Sequence, residues 1–277
     1  MPYAGRRIEL MKQTLCAAAF LAALPLQGVA QTDNRTAARE IVRKWQDAIV
    51  TVRVTLKLRM SMGGREMNSS DDSVDTVGTV IEPTGLTVVS LGALNPGATM
   101  NKIMGAAVSG QDRPSLSSEP TDVKIRIADG RELAAKIVLR DEDLDLAFLL
   151  PTGKVDKPLT AISLADASRP ALLDEVVVLS RLGRVGGWTP SAVLQNITAI
   201  IDKPRTFFVA EAGAGASMGT PAFLPNGKVV GLLTLRSVDP GRPGMMAMMG
   251  TTEGLGLLSV ILPAADVLEV AKQATAK

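Results

Sequence analysis

Histidine is absent from the 277 residues of this chain, and cysteine occurs once, at Cys16. Without an imidazole the chain alone can build no Ser-His-Asp triad, Cys-His dyad, histidine zinc site or imidazole proton shuttle. A single cysteine excludes a disulfide scaffold. The residues are 46% hydrophobic and 21% charged, with 25 glycines and 16 prolines. That balance excludes a disordered chain and a collagen-like repeat. A chain of this length forms one large domain or two of ordinary size, and it can bury a sizeable core.

Apolar runs long enough to cross a bilayer are missing as well. The run Leu15–Leu26 is short and interrupted by Pro25, so it does not read as a membrane span. It follows the basic residues Arg6, Arg7 and Lys12 and leads into Gly28-Val29-Ala30, small residues suited to cleavage. Residues 1–30 therefore read as a secretory signal peptide, with Met1 or Met11 as its start. Cys16 precedes most of the apolar core instead of following it, which argues against a lipoprotein anchor.

Cleavage after Ala30 takes Arg6, Arg7, Lys12 and Glu9 away from 30 basic and 28 acidic residues, leaving equal numbers of each. The mature chain is neutral, so neither nucleic acid nor an anionic membrane is expected as a partner. The expected location is exported, either periplasmic or secreted. The cysteine leaves with the leader, and stability must then come from the core.

Residues 34–49 have helical periodicity, with Ala38, Ile41, Val42, Trp45, Ala48 and Ile49 on one face. The period then switches to two. Val50, Val52, Val54, Leu56, Leu58 and Met60 alternate with Thr51, Arg53, Thr55, Lys57 and Arg59, a strand with one buried face. Short strand candidates follow at Val77–Ile81, Leu86–Leu91, Val123–Ile127, Leu133–Leu139 and Leu146–Leu150. A second series comprises Glu175–Leu179, Ala192–Ile201, Phe207–Ala210, Ala222–Leu224, Val229–Leu235 and Gly256–Ile261. Asn226-Gly227 marks a hairpin, and Pro263–Lys272 a closing helix. Many strands with only terminal helices predict an all-β sandwich or pair of barrels. The break falls in Pro151–Leu164, giving units of 31–150 and 151–277. Asn95–Thr121 and Ser237–Glu253 are expected as long loops.

Four stretches, in order, resemble the trypsin-like serine proteases, in particular the bacterial envelope Deg/Htr branch. VGTVIEPTGLTVVSLGAL (Val77–Leu94) is similar to the family's segment ending in Asn-His-Val-Val, and it places the catalytic histidine position on Gly92. VKIRIADGRELAAKIVLRDEDLDLAFLL (Val123–Leu150) resembles the strand, Asp-Gly turn and Asp-Leu-Ala pattern that puts the triad aspartate on Asp145. DEVVVLSRLG (Asp174–Gly183) is similar to the first strand of the second barrel. AGAGASMGTPAFLPNGKVVGLLTL (Ala212–Leu235) resembles Gly-Asn-Ser-Gly-Gly-Pro-Leu and the hairpin after it. Without a gap the nucleophile position is Met218; a one-residue insertion moves it to Ser217. The similarity covers about Ile41–Val267. It implies a double six-stranded β-barrel with an N-terminal helix and a short C-terminal helix, and an inter-barrel cleft that accepts a peptide or protein.

The residues depart from the family where the chemistry is done. Gly92 can neither take nor return a proton, and the thioether of Met218 cannot form an acyl-enzyme. Loss of base or nucleophile from such a triad costs on the order of a million-fold in turnover. What an oxyanion hole retains is only about a thousand- to ten-thousand-fold over water. The resemblance thus implies a degenerate triad at Gly92, Asp145 and Met218, with Asp145 held by backbone N–H groups. Ser217 is the alternative nucleophile of an unconventional endopeptidase, although no lysine in the sequence is nominated as its base. No cofactor is indicated. Met245, Met246, Met248 and Met249 fall in the family's specificity-loop region, and Met60, Met62 and Met67 form a second cluster. Such methionines suit an ordinary flexible or packing loop, an adaptable peptide-contacting surface or Cu(I).

Overall fold

Strand β1 (Ile49–Met62) turns its alternation directly into a barrel wall. Val50, Val52, Val54 and Leu56 point inward and are essentially inaccessible to solvent, while Arg53, Thr55 and Lys57 point outward. A computed structural model of the chain describes residues 27–98, 100–101, 115–211, 217–237 and 257–275. Two compact units divide at Ala37, and the second, Ala38–Lys277, contains all of the described strands. Of the first unit, the described part is the opening of helix α1 (Gln27–Trp45).

The first barrel comprises β1, β2 (Arg65–Val80), β3 (Thr87–Ser90), β4 (Ser115–Arg126), β5 (Glu132–Asp141) and β6 (Leu146–Pro151). The second comprises β7 (Glu175–Arg181), β8 (Pro190–Ile201), β9 (Phe207–Ala210), β10 (Pro221–Phe223), β11 (Val229–Ser237) and β12 (Leu257–Pro263). Both close in the same antiparallel order, β1-β2-β3-β6-β5-β4 and its counterpart β7-β8-β9-β12-β11-β10. Closure pairs the strand edges within each barrel wall. Among the described residues the named α-helices are α1, the short α2 (Leu91–Leu94) and the C-terminal α3 (Ala264–Thr275). Among the described residues, no helix is long and apolar enough to cross a membrane.

Alternation along the central strands divides the apolar residues among three cores. Val123, Ile125, Ala147 and Leu149 join the β1 valines inside the first barrel. Val176, Val178, Ile197, Phe208 and Leu233 fill the second. The opposite faces of the same strands, Phe148 on β6 and Val177 and Leu179 on β7, meet between the barrels with Ile41 of α1 and Val267 of α3. This is why β6 and β7 read as continuous apolar runs: both of their faces are buried. Residues 152–174 connect the barrels, with Leu159 and Ile162 donating to the carbonyls of Pro83 and Val80. Ser168 then donates to Val229 of the second barrel.

Three expectations need correction. The predicted helix 34–49 ends at Trp45, and a 3-10 turn (Gln46–Ala48) delivers Ile49 to β1. The β-branched run Ile49-Val50-Thr51-Val52 favours a strand, so Ala48 and Ile49 leave the helical face. Trp45 remains in place, stacked 6.4 Å from the Phe223 ring. Ser115–Thr121, expected in a loop, extends β4, where Ser115 and Ser117 pair with Ser61 and Arg59. Finally, β2 starts at Arg65 instead of Val77 and runs beside β1 for its whole length.

Arg181, at the end of β7, fastens the second barrel to the entry of the first. Its Nε donates to the carbonyl of Ile49, Nη2 to that of Gln46 at 2.9 Å and Nη1 to that of Trp188 at 2.9 Å. Burial pulls its pKa below the ordinary arginine value, with Asp47 opposing that shift, and the group stays charged at neutral pH. Arg181→Ala is expected to cost about 2–3 kcal/mol and lower the melting temperature by about 5–10 °C in a calorimetric scan. Arg181→Lys recovers only part of this, because one ammonium cannot serve three divergent carbonyls.

Candidate functional site

Asp145 occupies the turn between β5 and β6 with a positive φ of 56°, a left-handed conformation that aspartate tolerates better than most residues. That conformation turns both its carbonyl and its carboxylate toward the start of α2. Its main-chain oxygen accepts from Leu91 N at 3.0 Å. Oδ1 accepts from Gly92 N at 2.6 Å. Oδ2 accepts from the Ser90 hydroxyl at 2.6 Å and from Leu235 N at 3.2 Å. The last donor belongs to β11, so one carboxylate joins the two barrels.

Ser90 stands at the N-cap of α2 yet caps nothing with its side chain; its hydroxyl is spent on Asp145. It is 2% exposed. The turn carrying Ser217 and Met218 lies against the same spot. A Cβ at Gly219 would sit 3.1 Å from Ser90 N and 3.0 Å from the carbonyl of Val77, and its φ is +83°. Only glycine combines that backbone with that approach. The Gly219 carbonyl accepts from the Thr79 hydroxyl at 2.7 Å, and its N–H donates to Leu233 at 2.7 Å.

Gly92, Asp145 and the 217–220 turn are therefore gathered at the junction of the barrels. The side chains do not form a relay. Met218 packs at the margin of the second barrel's interior, its sulfur 4.0 Å from the Ser259 hydroxyl. Ser217 is half-buried, and its carbonyl accepts from the Thr220 hydroxyl at 2.6 Å. Among the described residues, no acid or base hydrogen-bonds the Ser217 hydroxyl. Nor do they hold any group of three or more His, Cys, Asp or Glu that could bind a metal ion. Met60, Met62 and Met67 are exposed near the tip of the β1–β2 hairpin. Met245, Met246, Met248 and Met249 lie outside the described residues.

Sequence reasoning missed Ser90, Thr79 and Leu235. A serine inside the apolar run TVVSL and a threonine inside VGTVI were the available signals, since a buried hydroxyl needs a partner. Leu235 left none, because it contributes a main-chain N–H.

Two closed six-stranded antiparallel barrels, with an aspartate at their junction, define the trypsin-like double-barrel class. The family model of the trypsin-like peptidase domain matches residues 77–232, more than half of the chain, and the chain belongs to that family. No curated protein matches it.

Proposed function

We propose that this chain is an exported pseudoprotease, a degenerate trypsin-like homologue of the Deg/Htr type. It holds an extended peptide or protein segment in the cleft between its barrels and does not cut it. The observation that carries this reading is that the 2.6 Å bond to Asp145 Oδ1 comes from the main chain of Gly92. A glycine has no side chain to take or return a proton, so where a protease sets an imidazole against the aspartate this position offers only an amide N–H. Oδ2 is shared by Ser90 and Leu235, so the carboxylate organises the junction instead of polarising a base. Met218 adds an apolar contact that packs and does not react. The leader-like residues 1–30 support export, and the neutral mature chain supports a protein partner over nucleic acid. In such a cleft, main-chain pairing gives affinity and alternate side chains give selectivity.

The test is intact-mass analysis of the purified protein after treatment with a fluorophosphonate, which labels activated serines. No adduct is expected. A stoichiometric adduct that disappears in Ser217→Ala would overturn the proposal in favour of an unconventional serine endopeptidase.

A further inference from the structure

The β1–β2 hairpin continues beyond the barrel wall, and β4 accompanies it as a third strand. Pairing runs unbroken from the barrel to Met62↔Arg65 on one side of β1 and to Ser61↔Ser115 on the other, apart from local register shifts. On its other side β2 pairs with β3 through Thr79 and Val80 alone of its 16 residues. Over Arg65–Ser73, β2 is exposed at every position, and among the described residues no strand pairs with its outer edge. Edges of this kind are usually blunted with charged side chains, lysine above all, with proline, with bulges or by brevity. Here the edge is long and has neither lysine nor proline; its charges are Arg65, Glu66, Asp71 and Asp72, and a register shift lies at Met67.

Its side chains select what can pair with it. Glu66 and Asp71 lie opposite Ser61 and Lys57, and cross-strand partners share a sheet face. Leu58, Met60 and Met62 point to the other face. On that face Met60 is 50% and Met62 49% exposed, and Met67, beside the register shift, is 66% exposed. Glu66 and Asp71 have no ion pair among the described residues, and Lys57, opposite Asp71, makes none with it; Asp72, opposite Leu56, and Arg65, opposite Met62, lie on the methionine face. Asp75, further along, is already neutralised by Arg53 at 2.9 Å and Arg184 at 3.7 Å. A second copy of this edge would double the carboxylates along one seam. A strand with cations on one face and apolar side chains on the other would satisfy carboxylates, methionines and free main-chain groups together.

We infer that Arg65–Ser73 of β2 is a docking edge for an extended cationic peptide segment, which adds to the arm as a fourth strand. Its lysines or arginines face Glu66 and Asp71, and its alternate apolar residues face the methionines, whose flexible thioethers adapt to different partners. This site is separate from the inter-barrel cleft and does not depend on the reading given for it.

The probe is an acetylated eight-residue peptide of alternating lysine and valine. Its glutamate–valine counterpart and an N-methylated version serve as comparisons. Binding to the purified protein is followed by fluorescence anisotropy, and the site by hydrogen–deuterium exchange. The lysine peptide is expected to bind and slow exchange across Arg65–Ser73, while both comparison peptides fail to bind. Glu66→Lys combined with Asp71→Lys, both on the exposed arm, is expected to weaken binding by about tenfold or more, with an unchanged thermal melt. Equal binding of the N-methylated peptide would overturn strand addition. Protection around Ser90 and Gly92 in place of Arg65–Ser73 would move the peptide to the cleft and overturn this site alone. Self-association that protects Arg65–Ser73 would make a second copy the occupant and overturn the cationic partner.

Discussion

Asp145→Ala is expected to destabilise the fold by about 4 kcal/mol, which lowers the melting temperature by about 10 °C for a unit of this size. Two effects add. Alanine leaves Gly92 N, Leu235 N and the buried Ser90 hydroxyl without the acceptor they share, at about 1 kcal/mol or more for each donor. It must also hold the left-handed backbone that aspartate occupies at φ 56°, for about a further 1 kcal/mol. Asp145→Asn separates these contributions. Asparagine accepts the left-handed conformation, and its oxygen can serve Ser90 and Leu235 together. Its amide nitrogen then confronts Gly92 N, donor against donor. A cost of about 1–2 kcal/mol follows. Denaturant melts of the three proteins check the order. If both variants melt within about 0.5 kcal/mol of the parent, the carboxylate does not organise the junction.

The same residue shows what could be read from the sequence and what could not. Gly92 and Asp145 were singled out only through the resemblance of their stretches to the trypsin-like proteases, and in the fold Gly92 stands just after β3 and Asp145 just before β6. The partners of Asp145 were not. Leu235 reaches it from the other barrel through a main-chain N–H, and the hydroxyl of Thr79 meets a carbonyl 140 positions away. Neither contact leaves a mark on local periodicity. Likewise the three carbonyls under Arg181 have no signature, since any residue could supply them.

Within the fold, β1 was plain from its valines. Arg65–Asp72 of β2 and Ser115–Thr121 of β4 were hidden, because they bury almost nothing. They become strands by pairing with the two edges of β1, a tertiary effect that outweighs the weak strand preference of serine and aspartate. The stretches that sequence periodicity missed are the same ones that build the exposed arm. Residues that fold without burying apolar surface leave no core pattern to find, and they leave a surface for something else.

Gly231→Ala is expected to be more damaging still, with a loss of about 4–5 kcal/mol or no recoverable folded protein. A Cβ at this position would lie 1.9 Å from the carbonyl oxygen of Leu262 and 2.8 Å from its carbon. Those atoms are main chain in β12, so no rotamer change can relieve the contact. Gly231 pairs with Pro263 at the end of the β11–β12 ladder, and separating the strands there disturbs all of β11. That strand carries Leu233, which bonds both Gly219 and Thr220, and Leu235, which bonds Asp145. The close approach at Gly231 therefore helps to set the position of the whole junction. Gly153→Ala is the matching control: nothing lies within 4 Å of the added carbon and the backbone is not left-handed, so a change of less than about 1 kcal/mol, in either direction, is expected. Circular dichroism melts of the two variants decide the point. A Gly231→Ala protein as stable as Gly153→Ala would mean that β11 and β12 do not depend on this close approach, and that it does not fix the donor at Leu235.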